Sequence, residues 1–346
     1  MKKLTLLIAV AALGILVYKQ MTKESAPAEQ ASAQGLPSYL PQGAIEDEII
    51  NGDTTLLELP RLAGGNNNYF VTHRASGKVN YSLEYDITKF HSRWVAFSFD
   101  AATAEGNVRR SDAWSWDPKI PAAYDTSNFF RRSGYSRGHL VASEDRTFSQ
   151  AANEQTFYYT NMSPQLQAHN AGIWHRLERR VQDWADDRGL CDTLYVAKGG
   201  TIADGQIEPK RMKGRVVVPR YYWMAVLARK GGQYHAIAFW TEHRSYGPSV
   251  QIPSLTLSVR ELEQRTGLDF FYHLPDAVEE AAETESPTSR DPAPLMNEVV
   301  YLIMRQMRRP ALILLGTYSL AMLGISLIPA INSEGELTYL SLFQAF

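Results

Sequence analysis

The chain has 346 residues, of which 45% are hydrophobic and 21% charged, and its net charge is −2. This composition is ordinary for a globular protein and excludes a chain that is disordered throughout, while the near-neutral charge gives no global sign of a nucleic-acid partner. The single cysteine, Cys191, excludes an intramolecular disulfide and a zinc site built from several cysteines.

Residues 1–20 are predicted to be a secretory signal peptide or an uncleaved N-terminal membrane anchor. Lys2 and Lys3 precede the apolar run Leu4–Tyr18, and small-residue cleavage sites follow at Ala26–Ala28 and Ala31–Ala33. Both alternatives place the next domain outside the cytoplasm. We therefore expect an exported protein, periplasmic or secreted, that is membrane-anchored in the second case.

Residues 21–45 have the composition of a linker, and residues 46–275 are predicted to form the folded body. Stretches rich in aromatic and β-branched residues predict five strands: Tyr81–Tyr85, Trp94–Phe99, Leu194–Lys198, Tyr221–Ala228 and Tyr234–Trp240. Helices are predicted at Asn153–Phe157 and over 171–188, where Trp174, Leu177, Val181 and Trp184 recur at helical spacing. Strands outnumber helices without a βαβ rhythm, which predicts an α+β fold.

The C-terminal part has two different compositions. Residues 276–295 are acidic and rich in Pro, Ser and Thr, which predicts a disordered linker. Residues 296–346 form a hydrophobic tail whose uncharged stretch Ala311–Ile331 is long enough to be a transmembrane helix. Met296–Pro310 resembles the start of a bacterial potassium-channel protein, but no glycine-rich filter follows. The tail is interpreted as a membrane anchor or, in a slightly favoured alternative, as an accident of fusion or of the gene model.

Three blocks in the middle of the chain carry residues suited to phosphodiester hydrolysis. They are Arg137-Gly-His139, Asn161-Met-Ser-Pro-Gln165 and Asn170-Ala-Gly-Ile-Trp-His-Arg-Leu-Glu178. Hydrolysis needs a base to take a proton from water and a cation to neutralise charge on the phosphate. Histidine can act as the base near neutral pH, and Mg²⁺ keeps several waters, so that one asparagine can suffice as its protein ligand. Singly, such a histidine is more often structural and such an asparagine more often a helix N-cap.

The order and spacing of these blocks resemble the DNA/RNA non-specific endonuclease family. That family has Arg-Gly-His, then Asn-x-(Ser/Thr)-Pro-Gln, then Asn-x-Gly-x-Trp-x-x-Leu-Glu, and the match extends over some forty residues. Seven arginines and four acidic residues between Arg131 and Arg180 give this region a net charge of +3, which suits a phosphate partner or a solvated helix face. The resemblance implies the ββα-metal nuclease fold, an α+β fold with a central, mostly antiparallel sheet flanked by helices.

The resemblance also implies roles for individual residues. His139 would be the general base, Asn170 the direct protein ligand of Mg²⁺ or Mn²⁺, and Arg137 a ligand of phosphate oxygens. Glu178 would act indirectly, by ordering metal-bound water or nearby arginines, because eight helical residues separate it from Asn170 by about 12 Å of rise. Asn161 is predicted to brace the site, with turn formation as an equal alternative.

The expected function is metal-dependent endonuclease activity on DNA and RNA that leaves 5′-phosphate ends. Arg176 is predicted to support the substrate. Ser136 stands where many family members have aspartate, so the alternative is a catalytically weak nucleic-acid-binding module anchored at the membrane. The sequence is compatible with a monomer and with a homodimer.

Overall fold

The computed structural model describes residues 56–104 and 106–286, together with the backbone of 327–331 and 337–341. Its main feature is a seven-stranded antiparallel sheet with the strand order β1-β2-β3-β6-β7-β8-β9, while β4 and β5 form a separate pair. The strands are β1 Asn68–Ala75, β2 Lys78–Asp86, β3 His91–Phe99, β4 Ser136–His139, β5 Met162–Gln165, β6 Thr193–Gly200, β7 Tyr221–Lys230, β8 Gln233–Glu242 and β9 Thr256–Leu257.

The helices lie on both faces of the sheet. They are α1 Gln150–Gln155, α2 His175–Asp186, α3 Val259–Thr266 and α4 Asp276–Glu283. Successive residues of a strand point to opposite faces, so each face has its own core. One core joins sheet residues such as Phe97 and Val196 to Trp174 and Val181 of the α2 region. The other joins the opposite sheet face to α3 and to Phe270.

The α+β class and the mostly antiparallel sheet are confirmed, and all five predicted strands are present within β2, β3, β6, β7 and β8. The predicted helices correspond to α1 and to a helical region that ends with α2. The sequence reasoning missed β1, because Asn68, Thr72 and His73 interrupt its apolar pattern, although all three are buried. It also missed α3, whose N-cap Ser258 accepts a hydrogen bond from the backbone N–H of Glu261.

The structure differs from the prediction at the start of the 276–295 linker, which was expected to be disordered. Asp276–Glu283 is helix α4, and its Ala282 and Glu283 are buried. The acidic residues of its first turn are favourably placed at the positive end of the helix dipole. The remainder of that linker from 287, the predicted signal or anchor at 1–20 and the 21–45 linker lie outside the described residues.

The end of the predicted transmembrane helix at 311–331 is a strand in the structure. Leu327–Ile331 forms strand β10, which pairs antiparallel with β11, Leu337–Ser341. Pro329 has no N–H for a helical hydrogen bond, which disfavours a helix there. Residues 311–326 lie outside the described residues, and none of the helices that the structure does describe is long and apolar enough to cross a bilayer.

Candidate active site

The first part of the site is the short antiparallel pair of β4 and β5. His139 lies opposite Met162, and Gly138 lies opposite Ser163. A Cβ atom at Gly138 would stand 2.3 Å from Oε1 of Gln165, so no larger residue fits without moving that side chain. The glycine of the Arg-Gly-His block is therefore explained by close packing across the pair.

The imidazole of His139 lies against two aromatic rings. It meets the ring of Phe157 edge-on, with centroids 5.0 Å apart, and lies 5.5 Å from the ring of Trp114. It also hydrogen bonds to the backbone carbonyl of Arg137. Its Nε2 atom is buried and has no hydrogen-bond partner among the described residues. This nitrogen is therefore available to a small molecule such as water.

Burial, together with a smaller effect of the positive charge of Arg110, lowers the pKa of His139 from 6.5 to about 3. The charge of Asp145 and the hydrogen bond to the Arg137 carbonyl oppose this shift. The imidazole is consequently neutral around pH 7, with a lone pair on Nε2. That is the protonation state that a general base requires.

Two arginines flank the aromatic rings that surround His139. The guanidinium of Arg137 lies 4.5 Å from the ring centre of Trp114, and that of Arg110 lies 4.6 Å from the ring centre of Phe157. Both arginines are exposed, and the guanidinium of Arg110 also pairs with Asp112 at 2.9 Å. Arg110 is not predicted from the sequence, because it lies 29 residues before His139 in a segment without a helix or strand pattern.

Asn170 lies between a short helical turn and a kink that precedes the main helix. The turn covers Gln167–His169, the chain is kinked at Gly172, where φ is −100° and ψ is −108°, and α2 begins at His175. Asn170 has helical backbone angles and donates its N–H to the carbonyl of Leu166 at 2.9 Å. Within 56–104 and 106–286 its carboxamide makes no hydrogen bond, so the N-cap alternative does not apply.

Trp174 links this helical region to the strand that bears the histidine. Its indole Nε1 donates a hydrogen bond of 3.1 Å to the backbone carbonyl of His139. Trp174 is fully buried and belongs to the core on that face of the sheet. The indole thus anchors the segment that starts with Asn170 against the end of β4.

Glu178 belongs to a buried group of charges. Nζ of Lys198 lies 4.0 Å from Oε1 of Glu178 and 2.9 Å from Oδ2 of Asp145. Asp145 also accepts hydrogen bonds from the Gln182 side chain at 2.8 Å and from the backbone of Ala142 at 3.1 Å. Burial raises the pKa of Glu178 to about 8, with Lys198 opposing the shift. The sequence reasoning missed Asp145 and Lys198 as partners of Glu178, because they come from distant segments.

The remaining predicted site residues, Asn161 and Arg176, bond to backbone groups. Asn161 is fully buried: its Nδ2 donates to the carbonyls of Val141 and Thr156, and its Oδ1 accepts from the N–H of Val141 at 2.8 Å. It therefore holds the chain just after His139. Arg176 donates to the carbonyl of Val250 at 2.8 Å, and no contact joins it to the other predicted site residues within the described part of the chain.

Residues 63–277, which include all of these side chains, match the family model described as DNA/RNA non-specific endonuclease. The chain belongs to the DNA/RNA non-specific endonuclease family. The resemblance stated from the sequence blocks is thereby confirmed. The matched region covers most of the described part of the chain, from before β1 to within α4.

Similar curated proteins of this endonuclease family carry nuclease names. A nuclease of Nostoc sp. is 30% identical over 222 residues, which are 60% of this chain and 77% of that protein. The mitochondrial nuclease EXOG of Danio rerio is 30% identical over 206 residues, 56% of this chain and 59% of its own length. Human EXOG is 28% identical, and the match covers 57% of this chain and 56% of that protein.

A solved structure shows the same fold. The crystal structure of the EndoG/EndoGI complex superposes with a TM-score of 0.53 at 24% sequence identity, and it covers 62% of this chain and 91% of that chain. This likeness agrees with the α+β architecture described above.

Proposed function

We propose that this domain is a metal-dependent endonuclease that hydrolyses phosphodiester bonds of both DNA and RNA, with His139 as the general base. The observation that carries the proposal is the state of the His139 imidazole. Its Nε2 is buried, unpartnered within the described residues and unprotonated near neutral pH, and two exposed arginines flank the aromatic rings around it. The family membership and the nuclease names of the relatives support the same reaction class.

In the proposed reaction, Arg137 and Arg110 hold the non-bridging oxygens of the scissile phosphate through their guanidinium donors. Nε2 of His139 accepts a proton from a water molecule as its oxygen attacks phosphorus. The new P–O bond forms while the bond from phosphorus to the 3′ oxygen breaks. The 3′ oxygen leaves with the bonding electron pair and takes a proton from a water molecule, which gives a 5′-phosphate and a 3′-hydroxyl. The negative charge of the bound substrate offsets that of Arg110 and raises the pKa of His139 in the complex, which helps it to accept the proton.

The side chain proposed to hold the metal is Asn170. Mg²⁺ and Mn²⁺ take oxygen ligands, and the Asn170 carboxamide has no hydrogen-bond partner among the described residues. No cluster of three or more His, Cys, Asp or Glu side chains suited to a metal occurs in the part of the chain that the structure describes. The residues thus fit an ion held by one amide oxygen and several waters. When bound, such an ion neutralises charge on the phosphate and on the leaving oxygen.

Glu178 is proposed to act on the site indirectly. Its carboxyl group faces Lys198 and Asp145 inside the protein, and its raised pKa favours the protonated form at pH 7. Asn161 is proposed to support His139 through the backbone of Val141. Arg176 is kept only as a proposed support of the substrate, because its present hydrogen bond is to the carbonyl of Val250.

The test is digestion of supercoiled plasmid DNA and of a long RNA by the full chain, with Mg²⁺, with Mn²⁺ and with EDTA. We expect His139→Ala to lower the rate by a factor of about a hundred to ten thousand, the usual contribution of a positioned base. Far-UV circular dichroism checks that the variant is folded. Cleavage by His139→Ala at the wild-type rate, or full activity of the wild type in EDTA, contradicts the proposal.

The second candidate is a nucleic-acid-binding module with weak or no catalysis, which the serine at position 136 suggested. The hydroxyl of Ser136 hydrogen bonds to the side chain of Gln167 at the start of the helical region. The binding-only module predicts that the wild-type protein retains plasmid DNA on a gel without cutting it, whatever metal is added. Metal-dependent turnover rejects this candidate.

A further inference from the structure

Two exposed loops beside the candidate site carry a group of unpaired cations. The first loop has Arg131 and Arg132, and the second is the tight turn around Lys213. Together they present Arg131, Arg132, Lys210, Lys213 and Arg215, which we call the basic ridge. All five are exposed, and none forms an ion pair within the described residues.

The fold holds the two loops together. Nζ of Lys213 donates to the backbone carbonyl of Arg132 at 3.5 Å. Beneath them, Phe130 from the first loop and Met212 and Val216 from the second belong to one buried apolar cluster. The packed apolar cluster therefore holds the two loops of the ridge in a fixed position relative to each other.

The backbone presents these cations outward. Arg132 and Lys213 have positive φ angles of 53° and 50°, which non-glycine residues seldom adopt. Gly214 follows with φ of 75°, and the N–H of Arg215 donates to the carbonyl of Met212 at 3.1 Å. This is a two-residue turn with both central residues in the left-handed region. The side chain of Lys213 consequently stands at the tip of the turn.

The base of the ridge is continuous with the candidate active site. Met162, the pairing partner of His139, belongs to the same apolar cluster as Phe130 and Met212. The ring of Phe130 lies 5.9 Å from that of Tyr159, which lies 6.0 Å from that of Trp114, over which Arg137 is placed.

Nearby acidic residues do not neutralise the ridge. Asp204 pairs with Lys89, and Glu208 lies 3.7 Å from the guanidinium of Arg220. Arg211 is different from the five cations, because its guanidinium donates to the carbonyls of Thr88 and Arg215 and so braces the turn. The concentration of positive charge is local, since the net charge of the whole chain is −2.

We propose that the basic ridge binds the phosphate backbone of the nucleic-acid substrate outside the scissile phosphate. This inference rests on the proposed function and assigns to the same site an extended binding surface. The ridge contacts phosphates and reads no base sequence, because its exposed groups are cations and the ring of Phe130 beneath them is buried. Binding through it releases counterions and is therefore weakened by salt.

The test compares two double charge reversals in the full-length protein. Arg131→Glu/Lys213→Glu changes one cation in each loop of the ridge. The control, Arg229→Glu/Lys230→Glu, also reverses two exposed cations, at the far end of β7, where Lys230 pairs with Asp192 at 2.9 Å. Tyr222, which contacts Ser163 next to the site, is seven residues from Arg229, about 24 Å along a strand. Thermal unfolding checks that both variants fold.

Four quantities are measured: KM and kcat on a long duplex, kcat/KM on a dinucleotide with a single phosphodiester, and the salt dependence of KM on the duplex. We expect the ridge variant to raise KM on the duplex at least about tenfold and to reduce the slope of log KM against log salt by about two. We expect kcat on the duplex, and kcat/KM on the dinucleotide, to stay within about twofold of the wild type. The control is expected to change none of these by more than about twofold.

The inference is overturned if the ridge variant keeps the wild-type KM on the duplex, or if the control raises KM equally. Failure of the proposed function has a different signature, namely that the wild type cleaves neither substrate under any metal condition. In that case fluorescence anisotropy of a labelled duplex in EDTA still tests the ridge. The Kd of the ridge variant for the labelled duplex must then be at least about tenfold higher than that of the control, and equal Kd values for the two variants refute the proposal.

Discussion

Removal of the Asn161 side chain tests whether the site depends on a buried hydrogen-bonded support. In Asn161→Ala the backbone N–H and carbonyl of Val141 and the carbonyl of Thr156 all lose their bonds to the carboxamide. A buried polar group left without a partner costs about 1–3 kcal/mol, and entry of water recovers part of that cost. For three groups we expect the free energy of unfolding to fall by about 3–5 kcal/mol.

Urea unfolding, monitored by tryptophan fluorescence, measures this loss as a shift in the midpoint at constant slope. The matched control is Gln150→Ala, which removes an exposed carboxamide whose one hydrogen bond within the described residues is to the side chain of Glu154. We expect that change to cost less than about 0.5 kcal/mol. A loss below about 1 kcal/mol in Asn161→Ala refutes the reasoning, because the three backbone groups would then have found other partners.

Three further predictions follow from the geometry around the histidine. Because burial lowers the pKa of His139 to about 3, its NMR signals should not titrate between pH 5 and 8 and kcat/KM should show no loss near pH 6.5 from this group. The imidazole of the unfolded chain binds a proton below pH 6.5, whereas the folded protein binds it only near pH 3. His139 therefore lowers the free energy of unfolding as pH falls from 6.5 toward 3. An NMR titration of His139 near pH 6.5 contradicts its burial. Gly138→Ala should cost about 1–3 kcal/mol in urea unfolding, because its Cβ would meet the Gln165 side chain at 2.3 Å, and a neutral result contradicts that contact. Lys198→Met should lower the free energy of unfolding by about 3–5 kcal/mol, because it leaves the buried carboxylate of Asp145 without its counter-ion. Adding Asp145→Asn should recover part of this loss. A Lys198→Met variant as stable as the wild type shows that the pair is not buried.

The amino-acid sequence determined the family and the fold class of this protein. Three short blocks with fixed spacing identified the endonuclease family, and stretches rich in aromatic and β-branched residues located five strands of the sheet. Such patterns are readable because they reflect local geometry: aromatic and β-branched side chains suit a pleated strand, and residues three or four apart share a helix face. The same patterns indicated a helical region after Asn170, although not the helical turn before it or the kink at Gly172.

Only the tertiary structure decided which distant residues surround the histidine. Arg110 comes from a loop without a periodic pattern, and Lys198 and Asp145 meet Glu178 from separate elements. The two loops of the basic ridge are also about eighty residues apart in sequence and meet through the hydrogen bond from Lys213 to the Arg132 carbonyl, above a common apolar base. No local pattern encodes these pairings, because they arise when long stretches of chain fold against one another. A periodic signal reports which face of an element is buried, and the packing of the whole domain determines which residues that face meets.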